Sequence, residues 1–178
     1  MRRSIVLIGL MGAGKSAVGA ELARQLSVPF VDSDAEIEAA AAMSVAEIFA
    51  RDGEAFFRDR EHRVLARLLD APPRIIATGG GAWMQALNRA LIGRTGISVW
   101  LDCDLETLWR RVRHRPTRPL LQTPDPRATL ERLLAERAPV YATADVRVAV
   151  GPHDSIQATA ARVLDTLRQT RPELLEPA

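Results

Sequence analysis

The sequence predicts an α/β fold in which a parallel sheet is covered by helices on both sides. Three observations carry this. Short aliphatic runs recur without polar alternation, as strands buried on both faces require. Segments with helical spacing separate them. The first three runs each end in a turn of glycine or aspartate, at the strand ends where such sheets bind ligands.

The first run is Ile5-Val6-Leu7-Ile8, followed by a glycine-rich turn. A helix is expected over about 16–26, with Val18, Leu22 and Leu26 four apart on one face. Val28-Pro29-Phe30-Val31 reads as a second strand that stops at Asp32-Ser33-Asp34. The next stretch reads as helical but broken. Ser44-Val45-Ala46-Glu47 has the spacing of a capping box, and Gly53 interrupts before a longer helix over about 54–69, closed by Pro72-Pro73. A third strand, 74–78, runs into Gly79-Gly80-Gly81, and a fourth, 97–101, leads into a helix carrying an arginine run. Four prolines between His114 and Pro126 mark an ordered but movable loop. A further helix is expected to end near Arg137, a last strand to span 146–150, and a terminal helix to begin near Asp154.

Bulk properties bound the function. A chain of 178 residues, 47% apolar, suits one domain with a buried core. A single cysteine, Cys103, excludes an intrachain disulfide and fits a reducing compartment. The basic pI of about 9.3 invites a nucleic-acid reading. Against it, net charge is only +2 and the arginines are interleaved with acids, except in the dense run Arg110 to Arg118. Met1-Arg2-Arg3 before an apolar run imitates a signal peptide. Lys15 sits where a cleavage region needs small neutral residues, and the run is too short to cross a bilayer. The expectation is a cytoplasmic protein with no membrane and no nucleic-acid partner. A monomer is expected too, because no long apolar stretch is left over for an interface.

Gly9-Leu10-Met11-Gly12-Ala13-Gly14-Lys15-Ser16 matches the phosphate-loop pattern at every position. Its glycines let backbone N–H groups turn inward on phosphates, and the following helix adds its positive end. The lysine reaches the β- and γ-phosphates, and the serine hydroxyl binds Mg²⁺. Lys15 is the chain's only lysine among 24 basic residues. In a chain that otherwise uses arginine, this position keeps the compact ammonium.

The acceptor side leaves two readings open at most positions. Asp32 and Asp34 offer one carboxylate for the Mg²⁺ shell and one to orient or deprotonate a hydroxyl. Asp34 equally suits a helix N-cap. Arg58 and Glu61 share a helix face with Phe57, which fits either a surface ion pair or a binding wall. Phe49, Phe56 and Phe57 cluster, as core packing or a ligand wall would have them. Gly79-Gly80-Gly81 suits close approach of a ligand to backbone, and as a mere turn would be costly in conformational entropy. Arg118 and its neighbours Arg111, Arg113 and Arg115 are closing cations or solvated charges, and Arg137 could serve only a helix dipole.

Together these residues resemble the shikimate kinase family, from about Ser4 to Leu167. The resemblance rests on the phosphate loop, Asp32-x-Asp34, Ile48-Phe49 with Asp52-Gly53-Glu54 and Phe57-Arg58, and the triple glycine. Arg118-Pro119-Leu120-Leu121 and Glu136-Arg137-Ala138-Pro139-Val140-Tyr141 complete it. It implies a single P-loop kinase domain over 1–178, a three-layer α/β/α fold with a five-stranded parallel sheet. A helical substrate-binding insert at about 33–62 and a lid at about 112–125 belong to it. The implied reaction is ATP-dependent phosphorylation of the shikimate 3-hydroxyl, a step of aromatic amino-acid biosynthesis, with one Mg²⁺ accompanying ATP.

By position, Asp34, Lys15 and Arg118 would be catalytic. ATP would lie on Gly12, Ala13, Gly14, Lys15, Ser16, Ala17, Arg111 and Arg118, and Mg²⁺ on Ser16 and Asp32. Shikimate would meet Asp34, Arg58, Gly80, Gly81, Arg137, Phe49, Phe57 and Glu61. The resemblance places either Arg110 or Arg111 against adenine, and we take Arg111. Ala17 stands where many relatives carry threonine. The rivals are a gluconate kinase of the same fold and a nucleotide-binding regulator without catalysis.

Overall fold

The computed structural model describes residues 1–114 and 121–175. Its centre is a five-stranded, all-parallel sheet in the order β2-β3-β1-β4-β5. The strands are β1 Ser4–Ile8, β2 Phe30–Asp32, β3 Ile75–Ala77, β4 Gly96–Cys103 and β5 Val146–Val150. Between and after them come α1 Lys15–Leu26, α2 Ser33–Ala41, α3 Val45–Asp70, α4 Ala86–Thr95, α5 Leu105–Val112, α6 Pro126–Tyr141 and α7 Ile156–Thr170.

The central strand explains its own sequence. In β1, Ile5, Val6, Leu7 and Ile8 are all fully buried, because helices cover both faces and neighbours pair on both edges. Each such side chain contributes about 1.5–3 kcal/mol through burial. Edge strand β5 alternates instead: Val146, Val148 and Val150 face inward, while Arg147 lies outside and pairs with Asp102.

Right-handed crossovers send α1 to one face as the chain moves from β1 to β2, and α3 and α4 to the other as it returns toward β4. The packing agrees, since α1 lies against α7 and α3 against α4. The chain direction reverses between β1 and β3, so the crevice beyond their carboxyl ends is the expected ligand position.

Several boundaries follow their local chemistry. Ser44 and Glu47 form the reciprocal capping box that starts α3. Gly53, at φ 82° and ψ 172°, breaks that helix into two arms. Helix α6 does not end near Arg137 but runs to Tyr141 through Pro139, so Arg137 lies inside its last turns. The N-cap of α2 is Asp32, whose Oδ1 accepts from the Asp34 N–H at 3.0 Å; Asp34 itself sits in the first turn. The capping reading of Asp34 is therefore wrong: one residue can cap this helix, and Asp32 holds the extended conformation that capping needs.

Candidate active site

The turn after β1 curls because three of its glycines have positive φ: Gly9 at 140°, Gly12 at 85° and Gly14 at 96°. At Gly12 a Cβ would also stand 2.8 Å from Val112 of α5. The ammonium of Lys15 lies inside this curl and donates to the carbonyls of Gly9 and Leu10 at 2.8 and 3.0 Å. The loop forms one wall of a cleft of about 870 Å³. Gly12, Ala13, Gly14, Lys15, Ser16 and Ala17 all line it, as do Asp32, Asp34, Gly79, Gly80 and Arg111.

Arg111 reaches the loop from α5, with Nη1 3.2 Å from the Gly12 carbonyl and 3.4 Å from that of Ala13. Its neighbour Arg110 is exposed and outside the cleft. A further wall was not legible in the sequence: the β5–α7 connection brings Asp154, Ser155, Ile156 and Gln157 to the cleft.

Ser16 and Asp32 meet at the cleft floor, where the serine hydroxyl donates to Asp32 Oδ2 at 2.6 Å. A hydroxyl and a carboxylate in contact, on the first turn of a helix and the end of a strand, are a hard-oxygen pair that suits Mg²⁺. No group of three or more His, Cys, Asp or Glu gathers among the described residues. Mg²⁺ characteristically takes one or two protein oxygens and completes its shell with phosphates and water.

Asp34 lines the same cleft as Lys15 and feels its charge. Burial pushes its carboxyl up to about 6, helped by the nearby Asp32 charge and opposed by Lys15 and Arg58. Beside it, on the broken helix, Arg58 donates to Glu61 Oε2 at 2.8 Å. Glu61 is almost wholly buried, at 1% exposure, and burial drives its carboxyl up to about 7 against the pull of Arg58. Asp34 Oδ1 and Glu61 Oε1 are buried oxygens without a hydrogen-bond partner among the described residues. The surface-ion-pair reading of Arg58 and Glu61 thus fails, because a salt bridge with one member this deeply buried is not a solvent-exposed pair. Phe49 and Phe57 pack ring to ring at 4.6 Å, with the Arg58 guanidinium over both. Phe56 turns away, half exposed under Arg60.

The triple glycine makes room for these groups. A Cβ on Gly79 would stand 2.6 Å from the Asp34 carboxylate, and one on Gly81 would stand 2.3 Å from the Arg58 guanidinium. A Cβ on Gly80 would meet Arg137 at an ordinary 3.5 Å. Asp34, Arg58 and Arg137, from three separate helices, therefore converge on one turn. Gly81→Ala is expected to displace the Arg58 guanidinium, and a crystal structure of the variant would check this.

Arg118 lies outside the described residues, as do the rest of 115–120 in the expected lid. Of the other residues expected at the site, Gly12 to Ala17, Asp32, Asp34, Gly80 and Arg111 line the cleft, Arg137 lies against Gly80 and Arg58 against Gly81, and Glu61, Phe49 and Phe57 gather around Arg58.

A family model described as shikimate kinase matches residues 11–168. A shikimate kinase of Ruegeria pomeroyi is 55% identical over 176 residues, spanning 99% of this chain and 90% of the relative. One from Cereibacter sphaeroides is 56% identical over 176 residues, covering 99% and 87%. Among solved structures, the shikimate kinase of Acinetobacter baumannii in complex with shikimate superposes with a TM-score of 0.90 at 36% identity, covering 95% of this chain and 94% of that one.

Proposed function

The chain belongs to the shikimate kinase family of ATP-dependent kinases, and from that premise we propose how its own residues bind shikimate and transfer the phosphoryl group. One observation carries the proposal: a buried carboxylate, Asp34, and two arginines, Arg58 and Arg137, converge on the triple-glycine turn beside a phosphate loop. Small cyclic polyols that bear a carboxylate need both features, cationic forks for the acid and an acceptor for the hydroxyls.

In this scheme Arg58 and Arg137 grip the shikimate carboxylate, with the Gly80 and Gly81 backbone beside it. Glu61 fixes the direction of the Arg58 fork. Phe49 and Phe57 wall the ring. Asp34 accepts a hydrogen bond from the 3-hydroxyl and takes its proton as that oxygen attacks the γ-phosphorus. The bond to the β-phosphate oxygen breaks, and ADP leaves with the electron pair. Lys15 and the loop N–H groups hold the charge that spreads over the phosphate oxygens. Ser16 and Asp32 would hold Mg²⁺, which when bound would supply positive charge to the phosphates. Arg111 lies along the nucleotide, and Arg118 adds a cation from the lid.

In this reading the substrate insert at 33–62 and the lid at 112–125 belong to a single domain. No described helix is long and apolar enough to cross a membrane. The enzyme acts in the cytoplasm as a monomer, a state that sedimentation would check.

An ADP-release assay with Mg²⁺ tests the reading, run without acceptor, with shikimate and with gluconate. Turnover with shikimate alone is expected. Turnover with gluconate, or with neither, would end the substrate assignment. Arg58→Ala is expected to raise the shikimate KM about 10- to 150-fold, from loss of a charged hydrogen bond worth about 1.5–3 kcal/mol. An unaltered KM would remove Arg58 from the carboxylate grip.

A further inference from the structure

The proposed acceptor site is assembled from elements distant in sequence: α3 supplies Arg58 and Glu61, the turn supplies Gly79–Gly81, and α6 supplies Arg137. None of the groups that touch substrate in the proposed scheme holds these elements to one another. Three other side chains do, alongside Trp83, whose Nε1 donates from just beyond the turn to the Val140 carbonyl of α6 at 2.9 Å.

Asn88, at the start of α4, is fully buried. Its amide Nδ2 donates to the Ala82 carbonyl at 3.0 Å, and its Oδ1 lies 2.7 Å from Nδ1 of His62 on α3. A carbonyl can only accept, so the amide nitrogen must face Ala82 and the amide oxygen must face the imidazole. His62 therefore carries its proton on Nδ1, and the bond fixes the helix residue next to Glu61. From the opposite side comes Tyr141, also 1% exposed and stacked on Trp100 with ring centroids 6.0 Å apart. Its hydroxyl donates to the Gly80 carbonyl, one helical turn along α6 from Arg137. Because the peptide unit is planar and trans, pinning the Gly80 carbonyl toward Tyr141 aims the Gly81 N–H the opposite way.

We propose that His62, Asn88 and Tyr141 form a polar clamp that sets the glycine turn against α3 and α6, and that they are positioning residues for the acceptor. The clamp acts on both glycine-contacting cations, since the turn it holds leaves only the space of a missing Cβ for Arg58 and a normal contact for Arg137. Small shifts of the turn therefore move the guanidinium forks relative to each other. The phosphate loop hangs from a different strand and makes none of these bonds; it packs beside the turn, with the Gly9 carbonyl 3.6 Å and the Met11 N 3.7 Å from where a Cβ on Gly80 would stand, so the larger effect falls on the acceptor side and the smaller on the nucleotide side. The proposal rests on the shikimate reading given above.

Three variants test it: Tyr141→Phe, which keeps the ring and removes only the hydroxyl; His62→Ala, which severs the α3 half at a partly exposed position; and Asn88→Ala, which removes both of its bonds. Each single hydrogen bond lost should raise the shikimate KM about 3- to 10-fold. The ATP KM should stay within about twofold, and shikimate should protect the variants against heat less than it protects the parent, with protection by ATP retained. If Tyr141→Phe and His62→Ala lower the melting temperature but leave the shikimate KM alone, or raise both KM values together, the residues are merely structural and the clamp is overturned. Should Asn88→Ala not fold, the other two decide. Parent enzyme run in parallel separates the two ideas. No shikimate turnover by the parent overturns the substrate reading and the clamp's role with it, whereas normal parent turnover with unaffected variants overturns the clamp alone.

Discussion

Asp34→Asn is expected to lower kcat at least about 100-fold while leaving the ATP KM within a factor of two or so. The substitution keeps size and shape and removes the ability to take a proton. The carboxyl's ordinary value is 3.8, and burial raises it to about 6. A base near 6 is still ionised at neutral pH yet closer to the strength at which proton transfer is efficient. The parent rate should accordingly rise with pH through about 6, and the residual rate of the variant should lack that limb. Equal kcat in the two proteins would remove Asp34 as the base.

The same group makes an opposite prediction for stability. Between pH 3.8 and about 6 the folded chain keeps a proton that the unfolded chain has released, so stability falls as pH rises through that window. Above it the full cost of burying the anion is present. Asp32 and Glu38 add to this cost, and Lys15 and Arg58 only partly offset it. Asp34→Asn should therefore melt a few degrees higher than the parent at pH 7.5, with the gap closing near pH 4. Glu61 shifts in the same direction and feels the Asp34 charge, so its own upward shift should lessen in the variant.

The strands and the phosphate loop were legible because each is a local pattern. Unalternating aliphatic runs mean two covered faces, and the loop's glycines are required by its own backbone angles. The acceptor side was harder, because its logic is one of contacts between distant segments. Nothing in Gly79-Gly80-Gly81 alone says that two of its glycines accommodate Asp34 and Arg58 while the third meets Arg137 at ordinary distance. Asp32 and Asp34 are equally good caps on paper, and only the extended backbone at Asp32 separates them. Asn88 and the β5–α7 wall carry no local signal: an asparagine early in a helix reads as solvent-facing until the fold buries it. Helix α6 runs past Arg137 to Tyr141 through Pro139, which costs it one hydrogen bond and crowds the preceding turn, a cost that tertiary packing such as that of buried Tyr141 offsets and no local pattern displays.

Lys15→Ala should reduce kcat about 1000-fold or more, the largest loss expected from any single change here. Among the described cations that line the cleft, only Lys15 and Arg111 are present, and Arg111 is spent on the outer carbonyls of Gly12 and Ala13. The Lys15 ammonium alone lies within the curl of the loop, so no described neighbour can replace its charge where the γ-phosphate would sit. Lys15→Arg should recover little of the loss. The loop backbone closes to 2.8 Å around a compact ammonium, and a planar guanidinium fork would have to push the Gly9 and Leu10 carbonyls apart. That outcome would also explain why a chain with 24 basic residues keeps its one lysine here. Single-turnover kinetics with bound ATP would separate the chemical step from binding. Rates near those of the parent for Lys15→Arg would mean that charge alone suffices, and that the shape of the loop does not select lysine.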